Sequence, residues 1–329
     1  MIEVKGLTKQ YGAHVAIDEI NFSINEGEIV GFLGPNGAGK TTTMNIITGY
    51  IAPTKGEALI NGVDIVEEPV KAKKNIGYLP DTPPVYGDMR VIEYLNFVAD
   101  IKKVRAGRKE MIKHVMEEVN IDDMGKRLVK NLSRGYRQRV GLAQAMIGQP
   151  KVIIMDEPTI GLDPKQIIEM REVVKRLGKK HTVILSSHIM QEVNAVCDRL
   201  LIINKGKIVA QGTPEGLARG LQKSGGIQVI VKGKKEDVVS ALNEIPDIAK
   251  KEAKKGKEPG TTELTLTGGA TSEMDIREAV FRCMAKNDFP ILLMKPNELT
   301  LEEIFLSITA SDRLGFIASR GGETNESDI

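Results

Sequence analysis

The feature that most constrains this chain is Gly34-Pro35-Asn36-Gly37-Ala38-Gly39-Lys40-Thr41-Thr42, which fits the spacing G-x-x-x-x-G-K-[ST]. Glu28-Ile29-Val30-Gly31-Phe32-Leu33 before it reads as a short apolar strand. Thr41 to Tyr50 after it, with Met44, Ile46 and Ile47, reads as a helix that starts in the interior. A strand that passes through a glycine-rich turn into a helix makes an anion cradle. Successive backbone N–H groups converge there, and the helix N-terminus adds partial positive charge. Gly37 and Gly39 let the turn adopt positive φ and approach a ligand closely. In such a cradle Lys40 reaches the β- and γ-phosphates and the Thr41 hydroxyl ligates Mg²⁺. The stretch therefore implies a nucleoside triphosphate site, without selecting among the proteins that build one.

A second constellation lies downstream. Val152-Ile153-Ile154-Met155-Asp156-Glu157 is an apolar strand that ends in two acids. Beside a phosphate cradle, the first acid holds Mg²⁺ and the second is placed to take a proton from an attacking water. The same pair could mark nothing more than a strand reaching solvent, but that reading leaves the join to a P-loop unexplained. Ser186-Ser187-His188 ends another apolar strand. In open α/β sheets ligands bind beyond the carboxyl ends of the strands, which is where His188 would stand. Tyr11 sits in a Tyr-Gly turn near the start of the chain, where its ring can stack on a base or simply pack; the residues leave both open.

Composition removes several classes. A chain of 329 residues has room for about two domains. The net charge of +2 gives no case for a nucleic-acid or membrane-surface binder, and aromatics at 4% with no Trp give no stacking platform. Cys197 and Cys283 form no C-x-x-C pair, which suits a reducing compartment and argues against a zinc site. No apolar run approaches the ~18 residues a membrane span needs, and Met1 to Tyr11 lacks a signal-peptide core. Work at a membrane would need another chain to do the spanning.

The remaining pattern is α/β. Ile2-Glu3-Val4 and Ala16 to Ile24 read as strands, as do Ala58-Leu59-Ile60, Ile76 to Leu79, Thr182 to Ser186, and the hairpin around Asn204-Lys205-Gly206. Residues 88–148 repeat apolar positions at helical spacing and predict an insertion of three or four helices, the last over Arg137 to Ile147. Strands alternating with helices imply a mainly parallel sheet. Pro214 to Gly226 is the expected boundary. Beyond it, strands at Ile227–Val231, Glu263–Thr267 and Ile291–Met294 alternate with helices at Lys235–Leu242 and Ser272–Lys286, which suggests a small ferredoxin-like α+β domain. The run Lys250 to Lys257 reads as a solvated loop, and Leu301 to Ile308 as a last helix. The predicted division is a nucleotide-binding domain over 1–215 with its helical subdomain at 88–148, an accessory domain over 216–309, and a partly disordered tail over 310–329.

Leu132-Ser133-Arg134-Gly135-Tyr136-Arg137-Gln138-Arg139, just upstream of the Asp156 strand, resembles the Leu-Ser-Gly-Gly-Gln signature of ABC transporter ATP-binding subunits. Thr159-Ile160-Gly161-Leu162-Asp163 resembles the D-loop of that family, Ile76 to Asp81 lies where its Q-loop would be, Tyr11 matches its A-loop aromatic and His188 its switch histidine. These motifs keep the family order over residues 1 to about 215. The resemblance implies an ABC ATPase that uses ATP and Mg²⁺. It implies a head-to-tail dimer in which each ATP meets Gly34 to Thr42 of one copy and Ser133 and Gly135 of the other. It further implies that Glu157 polarises the water, His188 orients water and phosphate, and Asp163 couples the two sites. A separate integral membrane permease would be driven by the cycle, holding the chain on the cytoplasmic face of the membrane, with no nucleic-acid partner. The sequence departs from the common pattern at Arg134, Tyr136 and Asp81; Asp81 stands where Gln or Glu is usual, and its shorter carboxylate could still serve Mg²⁺. Gly212-Thr213-Pro214-Glu215 and Leu301-Glu302-Glu303-Ile304-Phe305 resemble an extension found on exporter-type subunits of the multidrug and gliding-motility kind. The alternative is an ABC-type ATPase that acts on ribosomes or nucleic acid. A single cassette, a short helical insertion and no cysteine cluster weigh against it.

Overall fold

The computed structural model describes residues 1–221, 226–245, 248–268 and 276–296. Ile2–Tyr11 (β1) and His14–Ile24 (β2) open the chain as an antiparallel hairpin that pairs Tyr11 with His14. Their turn holds Gly12 at φ 57°, a left-handed value that glycine takes freely. Ile29–Leu33 (β3), buried along its whole length, runs through the glycine-rich turn into Lys40–Ile47 (α1). Lys55–Ile60 (β4) pairs with β1, and Val63–Asp64 (β5) with β4, giving an antiparallel sheet in the order β2-β1-β4-β5. Pro69–Lys73 (α2) then leads into Ile76–Leu79 (β6).

The expected helical insertion is present as Val91–Ile101 (α3), Arg108–Glu118 (α4) and Arg134–Met146 (α5). The last helix starts at Arg134 rather than Arg137 because Ser133 caps it: its Oγ accepts the Tyr136 N–H at 3.4 Å. At Gly77 on β6 the backbone of α5 packs directly against the sheet. A Cβ there would stand 2.4 Å from the Ala145 carbonyl oxygen. Gly77→Ala is therefore expected to lower stability by about 1–3 kcal/mol, read from the midpoint of urea unfolding followed by circular dichroism.

Val152–Asp156 (β7), Pro164–Gly178 (α6), Thr182–Ser187 (β8), Met190–Asn194 (α7), Arg199–Asn204 (β9) and Lys207–Gly212 (β10) complete the first unit. Its main sheet has the order β10-β9-β3-β8-β7-β6, parallel except for the antiparallel edge strand β10. Apolar runs such as Val152–Met155 carry no polar face because both sides of this sheet are covered. One apolar core takes Val4 and Phe22 from the antiparallel sheet, Phe32, Ile154 and Ile184 from the parallel one, and Met44, Ile46 and Ile47 from α1. The parallel register brings the strand ends level. Leu33 pairs with Ser187, Asp156 with Ser186, and Leu79 with Met155, so the chain leaves β3, β6, β7 and β8 side by side at one edge.

The described residues divide into two compact units that part between Pro214 and Glu215. The expected boundary segment is itself partly helical, as Pro214–Leu221 (α8). The second unit runs Gly226–Lys232 (β11), Lys235–Leu242 (α9), Ile248–Lys255 (β12), Thr261–Gly268 (β13), Ile276–Lys286 (α10) and Ile291–Pro296 (β14). Its antiparallel sheet has the order β12-β13-β11-β14, the arrangement of a βαββαβ unit, with Val229, Val231, Leu264 and Leu266 packed on Val238, Leu242, Val280 and Met284. Here one expectation fails. Most of Lys250 to Lys257 lies in β12, not in a loop, and pairs with β13. As an edge strand it needs ladder bonds on one side only, and lysines on such an edge deter pairing with other chains. The expected helix over Leu301–Ile308, with the Leu301 to Phe305 motif inside it, the tail over 310–329 and the start of the Ser272–Lys286 helix lie outside the described residues.

Candidate nucleotide site

Beyond Leu33 the chain turns at once. Gly34 donates its N–H to the Ser187 carbonyl at 3.3 Å, and a Cβ at Gly34 would stand 2.4 Å from the Ile203 carbonyl oxygen, so no larger residue fits. Pro35 accepts the Ala38 N–H at 3.2 Å, and Ala38 accepts the Gly206 N–H at 3.0 Å; these residues frame the turn rather than line the cleft. Gly37 and Gly39 hold φ of 79° and 109°, as expected of a turn that aims its amides inward. Gly39 is the N-cap of α1 and has no side chain to satisfy the first N–H groups, and no acidic residue stands in the first turn. The helix thus presents unspent donors and partial positive charge to an anion.

Lys40 is 5% exposed, and its Nζ donates to the carbonyls of Gly34 (2.8 Å) and Pro35 (3.3 Å). The same Nζ lies 3.2 Å from Glu157 Oε1, while Glu157 Oε2 lies 2.9 Å from His188 Nδ1. Three residues that the sequence singled out separately are therefore in contact, with the Glu157 carboxylate between a cation and an imidazole. Glu157 sits at φ 49°, a left-handed conformation uncommon for a residue with a Cβ. It is held there by Ser186, whose carbonyl and Oγ both accept the Glu157 N–H (3.2 and 3.1 Å).

Asp156 is 1% exposed, and burial pushes its carboxyl above the usual range; hydrogen bonds from Ser186 and Thr41 pull the other way. Ser186 thus serves both acids, donating its hydroxyl proton to Asp156 and accepting from Glu157. Its role is not visible in the sequence, where only a hydroxyl at the end of an apolar strand could signal it. Ser186→Ala is expected to cost about 1–3 kcal/mol of stability, measured by urea unfolding, because it leaves a buried carboxylate short of a donor.

The cleft above this floor has a volume of about 400 Å³ and is lined by Asn36, Gly37, Gly39, Lys40, Thr41 and Thr42 together with Tyr11, His14, Ala16, Asp81, Glu157 and Ile160. Tyr11 is half exposed there, with Lys9 Nζ 5.1 Å from its ring centroid. His14 reaches the cleft through its pairing with Tyr11, a placement that no local pattern in the sequence signals. Thr41 and Asp156 offer a hydroxyl and a carboxylate to a hard cation, and Asp81 adds a carboxylate on the wall. Among the described residues no group of three or more His, Cys, Asp and Glu side chains could hold a metal.

Ser133, Gly135 and Asp163 do not line this cleft. Gly135 and Asp163 are gathered around Gln166 instead: its N–H donates to Asp163 at 2.9 Å, and a Cβ on Gly135 would meet its side chain at 2.6 Å. Ser133 and Asp163 are exposed N-caps of α5 and α6.

The family described as ABC transporter matches residues 17–160. The linearmycin resistance ATP-binding protein LnrL of Bacillus subtilis (strain 168) is 31% identical over 314 residues, covering 94% of this chain and 98% of that protein. This chain belongs to the ABC transporter ATP-binding proteins. A second relative of this ABC ATPase is the uncharacterized ABC transporter ATP-binding protein YhcH of the same organism, 43% identical over 211 residues, which are 64% of this chain and 68% of that one. Among solved structures, a dimeric bacterial ABC transporter cassette matches with a TM-score of 0.60 at 26% identity, over 65% of this chain and 98% of its own. The ABC ATPase binds ATP and hydrolyses it. Its relatives are transporter subunits, and the ribosome or nucleic-acid alternative finds no support among them.

Proposed function

We propose that this ABC ATPase works as a pair of copies around two ATP molecules and drives a separate membrane permease that exports its cargo. The observation that carries the chemical half is the contact of Lys40, Glu157 and His188 at the floor of the P-loop cleft. ATP lies with its phosphates on the amides of Gly37 to Thr42, and Tyr11 takes the base. Thr41 and Asp156 would hold Mg²⁺, with Asp81 as a further oxygen donor, and the bound ion would offset phosphate charge. Lys40 moves its charge from Glu157 to the γ-phosphate, which frees Glu157 to accept a proton from water. The water oxygen bonds to the γ-phosphorus as the bond to the bridging oxygen breaks, and ADP leaves with that electron pair. His188 holds water and phosphate in line.

Ser133 and Gly135 of one copy then complete the partner's site through a hydroxyl, an amide and the N-terminus of α5, with Asp163 coupling the two. Their absence from the cleft of their own chain supports this arrangement, as does the dimeric state of the similar cassette. Among the described residues no helix is long and apolar enough to cross a membrane. The transporter ATP-binding relatives support a separate spanning partner, which holds this chain at the cytoplasmic face. The similarity to a resistance protein over 94% of the chain supports an exporter. The test is recovery of the tagged chain in mild detergent from its own cells, with mass spectrometry of what accompanies it. A multi-span membrane protein in fixed ratio is the expected result. Ribosomal proteins or DNA in its place would overturn the transport half.

A further inference from the structure

Asp81 and Arg134 meet where the chain leaves β6 and where α5 begins. Arg134 Nη2 lies 3.6 Å from Asp81 Oδ1, and the two side chains are 50% and 48% exposed. One turn along α5, the buried Gln138 donates its Nε2 to the Asp81 carbonyl at 2.7 Å. Residues four apart share a helix face, so a single face of α5 holds both the main chain and the carboxylate of Asp81. The Arg134 guanidinium also lies against Gly161, where a Cβ would come within 2.9 Å of its Cζ, Nε and Nη1 atoms. Asp81 lines the cleft with Lys40, Thr41 and Glu157, and its Oδ1 is screened from solvent yet accepts no hydrogen bond. A carboxylate on the wall of this cleft would share it with the phosphates of a bound nucleotide, and Arg134 is the cation paired with it.

We propose that Arg134 is a positioning residue for ATP, which pairs with Asp81 of its own chain to neutralise a carboxylate of the cleft wall and ties that wall to the turn carrying Ser133 and Gly135. The proposal rests on the cleft being the ATP site. Without Arg134, the Asp81 charge stands opposite the triphosphate and repels it; without Asp81, nothing is left for Arg134 to neutralise. The two substitutions are therefore coupled, and their coupling weakens with salt because the pair is half exposed.

The experiment is a double-mutant cycle on full-length protein with Arg134→Gln and Asp81→Asn, reading ATP affinity by equilibrium dialysis in EDTA, where no metal masks the carboxylate. Arg134→Gln is expected to weaken ATP binding about three- to fivefold, a range set by the worth of half-exposed ion pairs. In the Asp81→Asn background the same change should have little effect, and the difference should shrink at high salt. Thermal unfolding of each variant separates a folding defect from a binding one. An equal loss in both backgrounds would mean that the guanidinium meets the nucleotide itself, and an absent or salt-independent effect would mean packing only; either overturns the pair. A wild-type protein that binds no ATP with or without Mg²⁺ would instead overturn the site.

Discussion

Glu157→Gln is expected to leave ATP binding nearly intact while lowering turnover on the order of 10³-fold, the usual worth of a positioned general base. The donors that would meet the phosphates are backbone amides of the P-loop and Lys40, and all of them remain when the charge at position 157 is removed. The amide retains the shape of the carboxylate, so His188 keeps a partner, but it cannot accept the proton from water. Lys40 also loses its anionic neighbour 3.2 Å away and is freer to meet phosphate. ATP should then hold two copies together, visible as an ATP-dependent dimer on size-exclusion chromatography. Phosphate release at the wild-type rate would remove Glu157 from the mechanism.

Lys40→Ala is expected to act on binding instead. The ammonium is buried, rests on two carbonyl oxygens and is already placed at the neck of the P-loop. Losing a charge-assisted contact of this kind costs about 1.5–3 kcal/mol, so ATP affinity should fall roughly 10- to 100-fold by calorimetry. The substitution also leaves Glu157 Oε1 without its cation, and a modest loss of thermal stability should accompany it. Unchanged affinity would contradict the phosphate role of Lys40, whatever happens to turnover. The two variants separate the functions of one contact: one removes the proton acceptor, the other the phosphate clamp.

Two stretches at and beyond the unit boundary differ from their first local sequence signal. Lys250 to Lys257 reads as a solvated loop when charge alone is weighed; an edge strand tolerates lysines, and β13 beside it supplies the ladder. The boundary at Pro214 is legible as a proline, yet the proline there opens a helix, as a residue with fixed φ and no N–H can at the first position. At Lys250 to Lys257 the local preference gives way to what lies next in space; at Pro214 another local preference, that of proline for the first helical position, decides.

The P-loop, the Asp-Glu strand end and the strand before His188 were determined by the sequence alone. Their signal is local: apolar runs set the strands, glycines set the turn, and the chemistry sits within a few residues of both. The contacts among those pieces came only from the tertiary structure. Parallel register between β7, β3 and β8 places Ser186 under both acids and brings Glu157 between Lys40 and His188. The packing of α5 on β6 brings Arg134 to Asp81, two residues that the sequence showed only as separate departures from a pattern. Register and helix docking depend on contacts between segments far apart in the chain, and no spacing within either segment encodes them.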